Sequence, residues 1–407
     1  MRTHRSILAA ALALIAASGA GAQQYAIREV LPVSGDGPTY AWDVNNNGVT
    51  MAVCELADGS GTQAVFYDAA GVVAVMSSID GTGLPYVWAG AINDTETFVG
   101  MEIAPNPPLG TTSRAFVSGL PFLPDRFPLF VHVGPGAGTD ISNSVPPYSV
   151  GQTGTGEFSG GTMIVHAYVV RTDGFNNPIT DLGTLGGPFS RAEAINTARR
   201  VVGVSLSSAG PLRAFLWRPG QPMIDLGTLG GPVSWARDIN AADIVVGWSR
   251  LADGAARAFR WQAGTMTPLG TLGGEYAEAN GINAAGQIVG MSLDANGRPR
   301  AARFDADGAI DLNSLIPSGS GWTLQYAQAI NDSGTIVGWG RHNGRTRGFI
   351  LTSCPADFNS DGWVNGVDFD AFAQVFLDGD PASDFNRDGF VNGDDFEGYY
   401  AAFAAGC

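Results

Sequence analysis

The chain has 407 residues, 38 Asp and Glu against 22 Lys and Arg, and a formal net charge of −16 at pH 7, a balance that repels nucleic acid. All 22 basic residues are arginine, which excludes lysine Schiff-base chemistry. The acid is uneven: from Cys354 onward, eleven Asp and Glu face the single Arg387.

Residues 1–22 read as a secretory signal peptide. Arg2 and Arg5 lead an apolar run from Ile7 to Ala17, and Ala20-Gly21-Ala22 offers a small-residue cleavage site before Gln23. No other stretch approaches the roughly 18 uninterrupted apolar residues of a membrane-spanning helix. The expectation is a secreted or cell-surface associated, extracellular protein with no transmembrane segment.

Residues 23–353 carry one recurring pattern. Ala194-Ile195-Asn196 leads to Val201-Val202-Gly203, Asp238-Ile239-Asn240 to Val245-Val246-Gly247, and Gly281-Ile282-Asn283 to Ile288-Val289-Gly290. A basic-apolar strand follows, as in Arg213-Ala214-Phe215-Leu216-Trp217, and then Asp-Leu-Gly-Thr-Leu-Gly-Gly from Asp181 and again from Asp225. Weaker copies centre on Asn45, Asn93, Asn143 and Asn331. The seven anchors are 48, 50, 53, 44, 43 and 48 residues apart.

A unit of that length with four short apolar runs and Gly-rich turns fits a four-stranded blade. Runs apolar on both alternating faces predict strands covered on both sides. A parallel β-helix is the competitor, but its coils are usually shorter. The last repeat lacks its fourth strand, whereas residues 25–31 form a spare one. The expectation is therefore a mainly β fold, a seven-bladed β-propeller whose N-terminal strand 25–31 closes the last blade and hides two open edges.

With its His166-Ala167-Tyr168 and Arg-Ala-Phe strands, this region resembles the HAF family of extracellular repeats over most of residues 40–350. The resemblance implies export and a repeat scaffold and brings no catalytic residues with it.

Residues 354–407 hold the sharpest chemical pattern. Asp357, Asn359, Asp361, Gly362, Trp363, Asn365 and Asp368 recur 27 residues later as Asp384, Asn386, Asp388, Gly389, Phe390, Asn392 and Asp395. Counted from the first Asp, side-chain oxygens fall at positions 1, 3, 5, 9 and 12. Glycine takes the bend at 6, and Trp363 or Phe390 can lend a backbone carbonyl at 7. A hard cation taking six to eight oxygens needs this ladder, so two calcium ions are expected. Cys354 and Cys407 bracket the segment, and a disulfide between them would staple a domain with little core of its own. Cys54 is left over as a buried free thiol.

The tail resembles a type I dockerin of the short variety ending in Gly406-Cys407, a small α-helical paired EF-hand-like domain. Helices are expected over 369–376 and 396–403. The resemblance implies a cohesin-like or envelope protein as partner and an association with polysaccharide degradation. Loop positions 10 and 11, often hydroxyl pairs in cellulosomal dockerins, are here Gly366-Val367 and Gly393-Asp394.

Elsewhere the repeats supply candidates but no constellation. Asp181, Asp225 and Asp311 recur before Leu; they either ring a channel or bond turn amides, the second being the commoner role. Arg213, Arg257, Arg300 and Arg347 could pair with them. Trp88, Trp217, Trp235, Trp248, Trp261, Trp322 and Trp339 are read mostly as packing between blades. His132, His166 and His342 show neither zinc spacing nor a nucleophile partner, and no carboxylate pair can be nominated from spacing. The expectation is a non-catalytic secreted propeller attached through a calcium-dependent dockerin-like module. The alternative is a glycan-active hydrolase or lyase, or a sugar-binding propeller, on the same module.

Overall fold

The computed structural model describes residues 25–33, 35–76, 86–106, 110–119, 136–159, 162–173, 177–306, 308–359, 364–386 and 389–405. The expected signal segment 1–22 and His132 lie outside them. The fold is mainly β, and none of the described helices is long and apolar enough to cross a membrane.

From residue 39 the strands form antiparallel groups on one plan. Thr39–Val44, Thr50–Glu55, Thr62–Tyr67 and Val72–Met76 pair in succession, followed by Tyr86–Ile92, Thr97–Asn106 and Gly110–Gly119. The third group is Gly136–Ile141, Tyr148–Ser159, Thr162–Arg171 and Thr180–Asp181; the fourth is Gly186–Ile195, Val201–Ser207, Leu212–Trp217 and Ile224–Asp225. The fifth is Gly230–Ile239, Val245–Leu251, Ala256–Gln262 and Thr265–Pro268, and the sixth Gly273–Ile282, Ile288–Asp294, Pro299–Asp305 and Gly308–Asp311. In the last, Trp322–Ile330, Ile336–His342 and Arg345–Ser353 are joined at the outer edge by Tyr25–Val30. The spare N-terminal run thus takes the place of the missing fourth strand.

Adjacent groups bury each other. Val201–Ser207 and Ile288–Asp294 each bury five consecutive residues, as strands covered on both faces do. Val202 and Leu216 of the fourth group share a core with Val245 and Phe259 of the fifth, whose Val246 and Ala258 pack in turn with Ala277 and Ile288 of the sixth.

Each group carries an irregularity at one equivalent place. The register of the first strand slips by one residue at Ala41/Asp43, Ala89/Ala91, Ala192/Ala194, Ala236/Asp238, Ala279/Gly281 and Ala327/Ala329. In the third group the slip falls opposite Val150/Gly151 and leaves Thr139 unpaired. These are β-bulges, which re-aim a side chain. The glycine of the Val-Val-Gly motif lies against the bulge. A Cβ on Gly203, Gly247, Gly290 or Gly338 would fall 2.1, 2.0, 2.1 or 1.9 Å from the carbonyl oxygen of Arg191, Trp235, Glu278 or Tyr326. Steric need at that contact explains the motif.

The anchors close a ring. Asn45 Nδ2 donates to the Asn93 carbonyl at 3.0 Å, Asn93 to Ser142 at 3.1 Å, Asn196 to Asn240 at 3.1 Å, and Asn240 to Asn283 at 3.1 Å. Asn283 then donates to Asn331 at 3.0 Å and Asn331 back to Asn45 at 2.9 Å. The anchor of the third group is Ser142, one residue before the expected Asn143. A serine hydroxyl is too short to reach the next carbonyl. There Asp140 makes the link, its Oδ2 accepting the Ile195 amide at 2.7 Å.

The chain divides into two compact units: residues 29–312 with 321–350, and, among the described residues, 25–28 and 313–320 with the tail from 351. In the second, helix α1, Gly366–Leu377, and helix α2, Gly393–Ala405, extend the two expected helices by a turn. Phe369, Phe372 and Tyr399 are buried at its centre, the last two stacked at 3.9 Å and 11°.

Candidate functional site

The bulges decide what faces the middle of the larger unit. The extra residues are Trp42, Gly90, Thr139, Glu193, Arg237, Asn280 and Gln328, and all of them line one cavity of about 590 Å3. The repeat fixes the backbone at this position and varies the side chain at every occurrence. A position equivalent by structure and different by chemistry makes an asymmetric site on a near-symmetric frame.

One wall is aromatic. Trp42 lies 4.9 Å from Trp88 and 5.0 Å from Trp339, which stacks on Tyr326 at 5.0 Å and 19°. Trp88 is 40 % exposed, so much of its ring is open to a ligand. Of the tryptophans read as packing, Trp88 and Trp339 belong to this wall, whereas Trp261 is buried in the core.

The opposite wall is charged. Glu193 accepts the Trp235 indole N–H at 2.9 Å and Arg191 Nε approaches the same Oε1 at 3.2 Å. Arg237 spans the two carboxylates, 3.9 Å from Glu193 Oε1 and 3.6 Å from Glu278 Oε2, with its guanidinium 5.1 Å above the Trp235 ring. Tyr276 donates its hydroxyl to Glu278 Oε2 at 2.8 Å. Each carboxylate thus has one oxygen held by protein. Burial pushes the Glu193 carboxyl up, against the pull of Arg191 and Arg237. Two partly buried carboxylates on one guanidinium, with Gln152, Asn280 and Gln328 beside them, can hydrogen-bond hydroxyls or move protons.

Beneath the cleft stand three more carboxylates, on alternate groups. Asp43, Asp140 and Asp238 accept the amides of Ile92, Ile195 and Ile282 at 2.8, 2.7 and 2.8 Å, and each also accepts the amide of its own following residue. Burial pushes Asp43 and Asp238 up to about 6 and Asp140 well above its ordinary range. Mutual repulsion adds to the rise at Asp43 and Asp140. The sequence reading did not single these out; the signal was an Asp two residues before the anchor in every second repeat (Asn45, Ser142 and Asn240), masked by Ala and Gly in the others.

Other sequence candidates lie elsewhere. Asp181 and Asp225 accept the Gly183 and Gly227 amides at 2.7 and 2.8 Å, the turn role, and neither lines the cleft. Of the arginine series, Arg300 meets Asp294, Arg347 meets Glu29 and Asp36, and Arg257 donates to the carbonyls of Ala256 and Glu275. Cys54 is free and buried, its thiol pushed up to about 11 chiefly by burial.

In the tail the two repeats have the same wiring. Asp368 accepts the Asn359 and Asn365 amides at 3.1 and 2.9 Å, and Asp395 accepts those of Asn386 and Asn392 at 3.1 and 2.8 Å. Asn365 and Asn392 accept the amides of Val367 and Asp394, both at 2.8 Å, so each starts its helix. Asp384 accepts the amide of Gly389, whose φ of +89° makes the bend at loop position 6. Asp361, Trp363, Asp388 and Cys407 lie outside the described residues, and Asp357 and Phe390 stand within them. Among the described residues no group of three or more His, Cys, Asp or Glu is placed to hold a metal. Cys354 is disulfide-bonded.

No family model and no curated protein matches the chain. Solved structures similar to it include a puromycin hydrolase, at 15 % identity and TM-score 0.47 over 81 % of this chain and 56 % of that one. An acylaminoacyl peptidase from Pyrococcus horikoshii matches at 10 % identity and TM-score 0.49 over 77 % and 51 %. A gluconolactonase from Xanthomonas campestris matches at 9 % identity and TM-score 0.38 over 81 % and 90 %. This chain thus spans about half the length of the hydrolase and the peptidase. The expectation of a non-catalytic protein is corrected here. The similar structures are enzymes, and the fold converges Glu193 and Glu278, 85 residues apart and invisible to spacing, on one cavity. At these values the likeness transfers no activity to this chain.

Proposed function

We propose that this chain is an extracellular, glycan-active seven-bladed β-propeller of HAF type. It holds a sugar in the cleft between Trp42, Trp88, Trp339 and Tyr326 on one side and Glu193, Arg237, Glu278 and Asn280 on the other. The observation that carries this reading is the seven-fold bulge, which aims a different side chain from each group into one cavity. A pyranose presents apolar C–H faces and a rim of hydroxyls, and the cleft presents rings opposite planar amides and carboxylates. Its volume, about 590 Å3, suits a ligand of a few sugar units. Glu193 and Glu278 are the acid–base groups, since two carboxylates suffice for glycosidic chemistry.

Residues 354–407 serve as a dockerin-like calcium module. Asp357, Asn359, Asp361, Asn365 and Asp368, with the Trp363 carbonyl, would hold one ion; Asp384, Asn386, Asp388, Asn392 and Asp395, with the Phe390 carbonyl, the other. The donor set is all oxygen, which suits a hard cation. The bend at Gly389 and the inward Asp395, 0 % exposed, fit that use. Bound calcium would supply charge neutralisation to an acid-rich segment and so present it, folded, to a cohesin-like or envelope protein.

The test is a glycan array together with chromogenic glycosides, run on the mature chain and on its Trp88→Ala and Glu193→Gln variants. Binding or turnover that falls in both variants supports the reading. No signal on any glycan sinks it.

A further inference from the structure

The larger unit holds a second cavity on the same axis, about 210 Å3, between the anchor residues Asn45, Asn196, Asn240, Asn283 and Asn331. It shares no lining residue with the aromatic cleft. In each group the last residue on the cleft side and the first on the anchor side are at most one residue apart. Trp42 faces one cavity and Asp43 the other, Thr139 and Asp140 likewise, and Ala194 alone stands between Glu193 and Ile195. Between the two linings, Ala91 and Ala194 are each 4 % exposed, and at that level the Asp43, Asp140 and Asp238 carboxylates bond the neighbouring group.

From this we infer that the cleft is a blind pit that receives the end of a glycan chain, terminal sugar first, and that this terminal sugar is uncharged. The inference rests on the glycan reading above and adds the mode of entry and the charge class.

A mid-chain segment needs an opening on two sides, and the two cavities share no lining residue through which one would run. The charge class follows from the walls. Glu193 and Glu278 are matched by Arg191 and Arg237, so the sides carry no surplus cation for a uronate. Behind the cleft's lining stand three carboxyl groups that do not face it, each already committed to two backbone amides, and the field of those that are ionised opposes a second anion.

The test uses the full-length protein in calcium and the linear pentaoses of glucose and mannose in several linkages, titrated by calorimetry in three forms. One is unmodified, one is capped at both ends (a 4,6-O-benzylidene acetal and a methyl glycoside), and one carries a C6 carboxylate on its non-reducing terminal sugar, with a reducing-end uronate as its counterpart. Capping is expected to weaken binding at least about tenfold, and the carboxylate at one of the two ends to do the same. Equal affinity for capped and free forms overturns the end-on inference while leaving the glycan reading intact, and equal affinity for both uronates overturns the charge class. Failure of every pentaose to bind overturns the glycan reading and this inference with it.

Discussion

Asn331 Nδ2 donates to the carbonyl of Asn45 at 2.9 Å across 286 residues of sequence, and this bond closes the ring that the other anchors pass from group to group. Both residues are buried, 4 % exposed each, so the bond is made where water offers no replacement.

Asn331→Ala removes that donor and also the acceptor for the Thr335 amide at 2.9 Å. Loss of about 1–3 kcal/mol is expected in urea unfolding of the full chain. Asn283→Ala, which breaks a bond of the same kind within the chain's own order, is expected to cost a similar amount. A loss at Asn331 below about 0.5 kcal/mol would remove the ring from the account of stability.

Trp88→Ala trims the most exposed ring of the aromatic wall and leaves the buried core alone. About 1 kcal/mol of glycan affinity, roughly a fivefold rise in Kd, is expected to go while the melting temperature holds. Calorimetry beside a thermal melt separates the two effects.

The fold and the site were legible to different degrees. The repeat length, the strands covered on both faces, the spare strand at 25–31 and the helices of the tail can all be read from periodicity, because each depends on residues near in sequence. The cleft cannot. Trp42, Glu193, Arg237 and Asn280 look like variable residues inside a strand until a bulge turns each toward one axis, and a bulge leaves no mark in the sequence beyond the glycine opposite it. Ser142 went unread as an anchor for a related reason: it keeps the turn and the accepting carbonyl but lacks the amide by which the pattern is recognised.

The carboxylates under the cleft give a pH dependence of unusual sign. Asp43 and Asp238 titrate near 6 in the folded chain against 3.8 ordinarily, so between those values the folded state holds protons that the unfolded state releases. Their contribution is therefore favourable at low pH and is lost as pH rises through about 6. Stability in EGTA is expected to increase from pH 7 to pH 5 by on the order of 1 kcal/mol per group, and Asp238→Asn is expected to flatten the rise. Below about pH 4 the trend reverses, because Asp294 and Asp395, held low by backbone amides, lose their stabilising ionised form. Denaturant midpoints across pH 3–8 follow both arms.

Calcium is expected to stabilise the tail by about 2.7 kcal/mol per site at a hundred times its Kd. Asp384→Ala takes away a proposed ligand and the acceptor for the Gly389 amide, so it should abolish one of the two binding steps in a calcium titration. Two undiminished steps in that variant would contradict the ligand assignment.

The central claim is that the bulge-lined cleft holds a sugar, and the most direct measurement is calorimetry of the best array ligand against wild type, Trp42→Ala and Glu278→Gln. The account predicts saturable 1:1 binding by wild type and a loss of at least about tenfold in both variants, each verified as folded by circular dichroism. Binding that is unchanged in both would place the ligand elsewhere on the molecule and contradict the account.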